Sequence, residues 1–275
     1  MISTRGLAPL AALSLIDRQR DRFADAVRED PTARREIAAF RDRIGKVDNV
    51  EALVKDHVVY SFLMKAFGLE QEIFAKAMMK KILKADATDK ASLVNRLTDS
   101  RYREINRAMG FKADGTVGRA DFGSGAWAED LIQRYVTQRM IDGQMEQNPV
   151  VGVALEFERK ASTLTSWFKV LADPKLAEFI RTAFGLPDAI AQGNIDVQAR
   201  MLQQRMKIEA LQDPQTRKKL VRQYAAIAGA NAARDQASPR IGLGLPLGDT
   251  AIWQPIAVEI PAAPATGLSA YRLWR

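Results

Sequence analysis

Not one of the 275 residues is a cysteine, which excludes disulfides, thiolate zinc sites and cysteine nucleophiles together. Such a composition suits the cytosol or an export route that avoids thiols. His57 is the single histidine, so a Ser-His-Asp triad has one possible location and a multi-histidine metal site cannot form within one chain. No apolar run reaches the ~18 residues that a membrane-spanning helix needs. The basic residues are not interleaved with aromatics in any recognised motif, so nucleic acid is not the expected partner.

What is present describes a globular chain. Hydrophobic residues at 47% and charged residues at 27% can build a core and solvate its surface, and global disorder is not expected. Basic residues outnumber acidic ones by 41 to 33, a net charge of +8. That excess raises the expectation of an anionic partner, such as nucleic acid or an acidic protein, as the alternative to ordinary protein contacts. It is diffuse: Asp86 and Glu104 interrupt the basic stretch 76–112, and a shorter one follows at 217–222. Arg5 and residues 7–16 imitate a secretory leader, yet run into Asp17-Arg18-Gln19-Arg20 with no small-residue cleavage site. Residues 1–12 are therefore expected to be a flexible entry into the first helix.

One local grammar recurs. An Asp or Asn, often followed by Pro, opens a segment with helical apolar spacing at Asp30-Pro31, Asp56, Asn148-Pro149, Asp173-Pro174 and Asp213-Pro214, and Asp99-Ser100 adds a sixth without Pro. A side-chain oxygen at the N-cap accepts from an orphan backbone N–H, and Pro suits the first helical position. After Asp56 the apolar residues are Val59, Phe62, Leu63, Ala66 and Phe67; after Asp173 they are Leu176, Phe179, Ile180, Ala183 and Phe184. Both series trace one face of an amphipathic helix, and both end in glycine, at Gly68 and Gly185. Further helices are expected over residues 13–28, 31–45, 71–84 (Phe74, Met78 and Ile82 in line), 126–144, 149–164 and 196–206 (Val197, Met201 and Leu202 in line). The fold expected is all-α, a multi-helix globular bundle over residues 13–235. Its halves, about 13–112 and 126–235, are joined by a glycine-rich connection, 110–125. The repeated order of elements reads either as an internally duplicated helical unit or as capped helices resembling one another. From 236 to 275, Pro239, Pro246, Pro255, Pro261 and Pro264 with several glycines forbid helix, giving an extended or disordered tail.

Individual motifs yield little chemistry. His57 follows the capping Asp56, where the helix dipole favours its neutral form, but no nucleophile or metal partner accompanies it. Gly110 and Gly115 have the spacing that opens a P-loop, yet Thr116-Val117 stand where Lys and Ser or Thr are required. Gly242, Gly244 and Gly248 break the dinucleotide spacing. Glu156 and Glu158, two apart on a helix, point to different sides and cannot converge on one bond, and Glu70 and Glu72 fail in the same way. No catalytic, cofactor-binding or metal-ligating residue is assigned. The tail carries the candidate partner-binding residues Trp253, Ile256, Val258, Ile260, Tyr271, Leu273 and Trp274, which either dock on the body or fill a groove on a partner.

Three early segments, Val47-Asp48-Asn49-Val50-Glu51-Ala52-Leu53-Val54-Lys55-Asp56, Lys65-Ala66-Phe67-Gly68-Leu69-Glu70 and Asn95-Arg96-Leu97-Thr98-Asp99-Ser100-Arg101-Tyr102, form a pattern with later ones. Those are Ala154-Leu155-Glu156-Phe157-Glu158-Arg159, Ala183-Phe184-Gly185-Leu186-Pro187 and Leu211-Gln212-Asp213-Pro214. Together they resemble the uncharacterised bacterial family DUF 1217, found largely in alphaproteobacteria, over roughly residues 10–230. Met109, in Ala108-Met109-Gly110-Phe111, stands where the pattern leads one to expect an aromatic. The resemblance implies an all-helical fold and, for many relatives, genes placed among flagellar genes. It implies no activity and transfers no site residue. The function expected is a non-enzymatic accessory or structural protein of flagellar assembly or motility. It would act through other proteins, flagellar components among them, and lie in the cytoplasm or on the flagellum.

Overall fold

The carboxylates that open helices in the sequence meet backbone N–H groups in the computed structural model, which describes residues 2–237. Asp30 accepts from Thr32 and Ala33 at 3.1 and 3.0 Å, Asp56 from Val58 and Val59 at 3.1 and 3.2 Å, and Asp173 from Lys175 and Leu176 at 3.0 and 3.3 Å. Asp99 and Asp213 cap in the same manner. Each such bond satisfies an orphan donor and is worth about 1 kcal/mol. Asn148 departs from the pattern: its side chain makes no cap bond, and its Nδ2 donates instead to the Leu7 carbonyl at 3.0 Å.

Fourteen α-helices follow among the described residues, with no strand beyond isolated bridges. The first half contains α1 (Pro9–Arg18), α2 (Arg20–Arg28), α3 (Pro31–Ile44), α4 (Val50–Lys55), α5 (His57–Ala66), α6 (Lys76–Lys84), α7 (Leu93–Arg96) and α8 (Ser100–Met109). The long α9 (Gly125–Gln147) leads into α10 (Pro149–Ala161), α11 (Trp167–Ala172), α12 (Pro174–Ala183), α13 (Ile195–Arg205) and α14 (Pro214–Ala237). α9 lies against α2, α3, α5 and α10, while α14 lies against α1, α10 and α12. The α9–α10 hairpin is tight enough that a Cβ on Gly152 would sit 2.5 Å from the Cα of Met145.

Two hydrophobic clusters result, each built round a stack of rings. In the first, Phe62 of α5 lies between Phe40 of α3, at 4.2 Å, and Tyr135 of α9, at 4.5 Å. In the second, Phe179 of α12 lies between Phe157 of α10, at 3.8 Å, and Tyr224 of α14, at 4.4 Å. The parallel runs along the backbone. Helices α4 and α11 have six residues each, and α5 and α12 ten each. Gly68 and Gly185 both close with left-handed φ, 66° and 62°, a conformation that costs a glycine no Cβ clash. A cation two helices earlier, on α3 or α10, reaches the carboxylate that caps α5 or α12, Arg43 to Asp56 and Lys160 to Asp173. Both pairs are 2.8 Å apart and 13 positions apart in sequence. Phe40, Arg43, Asp56, Phe62 and Gly68 thus recur as Phe157, Lys160, Asp173, Phe179 and Gly185 at identical spacing.

Several sequence expectations are corrected. The segment 13–28 is two helices, broken where the Gln19 backbone leaves helical geometry (φ −126°, ψ 33°), so that α1 meets α14 and α2 meets α9. Helix begins at Pro9, and within the expected flexible entry Thr4 is fully buried, donating its backbone N–H to Gln147 at 3.0 Å and its hydroxyl to Gln144. Residues 71–84 open as a 3-10 turn, which leaves Phe74 outside α6 with its ring in solvent. Val197 is half exposed on α13 rather than in the core. The connection 110–125 is fastened to the body, the Val50 N–H donating to Gly115 O at 2.9 Å and that of Val117 to Asp48 O at 3.3 Å. All seven candidate tail residues, Trp253 to Trp274, lie outside the described residues.

Gly152→Ala should therefore force α9 and α10 apart and destabilise the protein by about 1–3 kcal/mol. Denaturant unfolding of the two proteins measures this, and an unchanged midpoint would show that the hairpin is looser than described.

Candidate functional site

The first turns of α8 and α12 and the last turns of α10 converge on a polar cleft of ≈ 380 Å³. Its floor is charged. Asp99, the N-cap of α8, accepts the Arg101 backbone N–H at 2.9 Å and holds the Arg101 guanidinium through both carboxylate oxygens, the shortest contact being 2.6 Å. The same guanidinium donates to the carbonyl of Gly68, the glycine that closes α5. On α10, Glu156 meets Arg159 three residues on and Lys160 four residues on, each at 3.0 Å, because those offsets share one helix face. Lys160 continues to Asp173, and Arg159 approaches Glu104 of α8 at 3.8 Å. Charges from the two core clusters are thereby joined in one network.

Burial decides the electrostatics. Glu156 and Lys160 are only 8% and 7% exposed, and an isolated buried charge would cost several kcal/mol. Burial alone would raise the Glu156 pKa, but the charges and hydrogen bonds of Arg159 and Lys160 overturn this and bring it down to about 2. Asp99 follows the same logic, burial opposed and outweighed by Arg101. Asp142 of α9 shows the reverse: burial raises its pKa, with the Glu156 charge adding to the shift, and the neutral Gln138 amide donates to it at 2.9 Å. A carboxylate held ionised between two cations does not exchange protons near neutral pH.

The sequence-flagged groups scatter. His57 is exposed at the start of α5. Glu156 turns inward while Glu158 turns outward to Arg20, so the two carboxylates diverge as their spacing dictates. Gly110 closes α8 with a left-handed φ of 60°, and the Gly115 carbonyl accepts the Val50 N–H at the start of α4. Among the described residues, no group of three or more carboxylates and imidazoles could hold a metal ion, and no helix is long and apolar enough to cross a membrane. Sequence reading missed the cleft because Asp99 and Asp173 stood out as caps. The Glu156-x-x-Arg159-Lys160 spacing was the available signal.

Glu156→Gln removes the carboxylate that Arg159 and Lys160 share, and should cost about 3–5 kcal/mol at neutral pH. The folded carboxyl titrates at about 2 against an ordinary 4.5. Its contribution is therefore complete above 4.5 and disappears as pH falls through about 2. Denaturant titrations of both proteins across that window should show their stabilities converging; a difference indifferent to pH would contradict the ion-pair assignment.

The family profile described as "Protein of unknown function (DUF1217)" matches residues 66–216, a span that contains the entire cleft. No curated protein matches the chain. A crystal structure of an Agrobacterium tumefaciens protein is similar at 30% identity and a TM-score of 0.71, covering 82% of this chain and 95% of that one. Sequence profile and fold thus agree, and the chain belongs to the DUF1217 family.

Proposed function

We propose that this protein is a non-catalytic accessory or structural component of bacterial flagellar assembly or motility, in the cytoplasm or on the flagellum, and that it works by binding other proteins. The flagellar setting comes from what the family resemblance implies. Binding as the mode of action rests on one observation, the Phe74 ring, which is 93% exposed at the corner between the 3-10 turn Glu70–Glu72 and α6. So exposed a ring contributes little to folding, whereas buried aromatics dominate the energetic centres of protein interfaces. The two halves, we further propose, descend from one helical unit; the identical spacing from Phe40 to Gly68 and from Phe157 to Gly185 supports this.

Deleting the gene should impair flagellation and swimming, and a copy carrying Phe74→Asp should fail to restore them while its far-ultraviolet dichroism stays that of the wild type. Normal swimming in the deletion strain would end the flagellar reading. Full rescue by the Phe74 variant would remove that ring from the interface.

A further inference from the structure

Beside the charged cleft, and sharing Thr163 and Lys169 with it, lies a second, more open concavity of ≈ 410 Å³ whose lining is cationic without a carboxylate. Arg103 and Arg107 enter from α8, Lys90 from the loop before α7, and Lys169 from α11. The two arginines are one helical turn apart, a like-charge placement that weakens a helix unless something offsets it. Several other basic groups are matched: Arg101 to Asp99, Arg119 to Asp121, Arg159 and Lys160 to Glu156. Here, among the described residues, Lys90, Arg103 and Arg107 have no such counter-charge.

The remaining lining groups also favour an anion. Lys169 donates to Thr165 Oγ1 at 2.8 Å, which leaves that hydroxyl proton directed elsewhere. Asn95 is anchored through its Nδ2 to the carbonyls of Ala87 and Asp89, at 2.9 and 2.8 Å, which fixes the loop that carries Lys90. Burial, with the Arg103 charge adding to it, lowers the pKa of Lys169, so its ammonium sits in a field already too positive. A singly charged carboxylate would leave most of this charge unbalanced. A doubly charged tetrahedral oxyanion offers several acceptors to two guanidinium forks and two ammonium groups.

We infer that the concavity bounded by Lys90, Arg103, Arg107 and Lys169 is a binding site for a phosphate group. The inference goes beyond the protein-partner function and does not depend on it. It gives the diffuse positive charge of the sequence one concrete location.

Isothermal titration of the full chain with inorganic phosphate at low ionic strength should show one saturable site that weakens as salt is added. The double variant Arg103→Gln with Arg107→Gln should lose at least about tenfold in affinity. Lys218→Gln, on α14 against Asp17 and outside the concavity's lining, should bind as the wild type does. Arg103→Gln alone should raise the Lys169 pKa toward its ordinary value, read by nuclear magnetic resonance of the labelled lysines, and dichroism should confirm that each variant is folded. Vesicles of phosphatidylcholine containing phosphatidic acid separate the sources. Capture that depends on Arg103 and Arg107 makes the phosphate a lipid headgroup; no capture, with phosphate affinity retained, makes it a soluble phosphate ester. Absence of saturable phosphate binding, equal affinity in the double variant, or variant-sensitive binding of single-stranded DNA alone would overturn the inference.

Discussion

Asp173 carries two duties at once, and the centre of the molecule is organised by the conflict it settles. Its Oδ1 closes the first turn of α12, while its Oδ2 takes the ammonium of Lys160 from α10. Without that second contact Lys160 would share Glu156 with Arg159 and remain short of counter-charge in a nearly dry place. Cap and ion pair together fix where α12 starts relative to where α10 ends. That in turn lays Phe179 flat on Phe157. Arg43 and Asp56 do the same for α3 and α5 in a wetter setting, where the pair itself adds little energy and mostly sets register.

The helices were legible because their start signals are chemical rather than statistical: a carboxylate before an apolar stripe does one thing, and the stripes after Asp56 and Asp173 turned inward as written. Phe67 is buried and Phe184 packs half-buried at the edge of the second cluster, against Trp167. Periodicity failed where backbone geometry, not side-chain pattern, decides. Nothing in Leu15-Ile16-Asp17-Arg18 announces that Gln19 leaves the helix, and Phe74 fits an apolar stripe that the 3-10 turn displaces. Tertiary demands override local preference at such places.

The charged regions were the least legible part. Arg103 and Arg107 fall in the basic stretch already apparent along the chain, but Lys169 joins them from far downstream through packing of the second core. Whether a cation is matched or unmatched depends on which carboxylates the fold brings near, and one-dimensional charge counting averages that away. The adjoining clefts make the contrast plain, one setting carboxylates against its cations and the other lined by none, with Lys169 at their common border.

Arg101 has a mechanical side. One planar guanidinium grips the carbonyl that ends one helix and the carboxylate that begins another, so it acts as a rivet through the seam between α5 and α8. Fraying at either terminus must withdraw the same group, and the two ends consequently open as one cooperative unit instead of two independent ones.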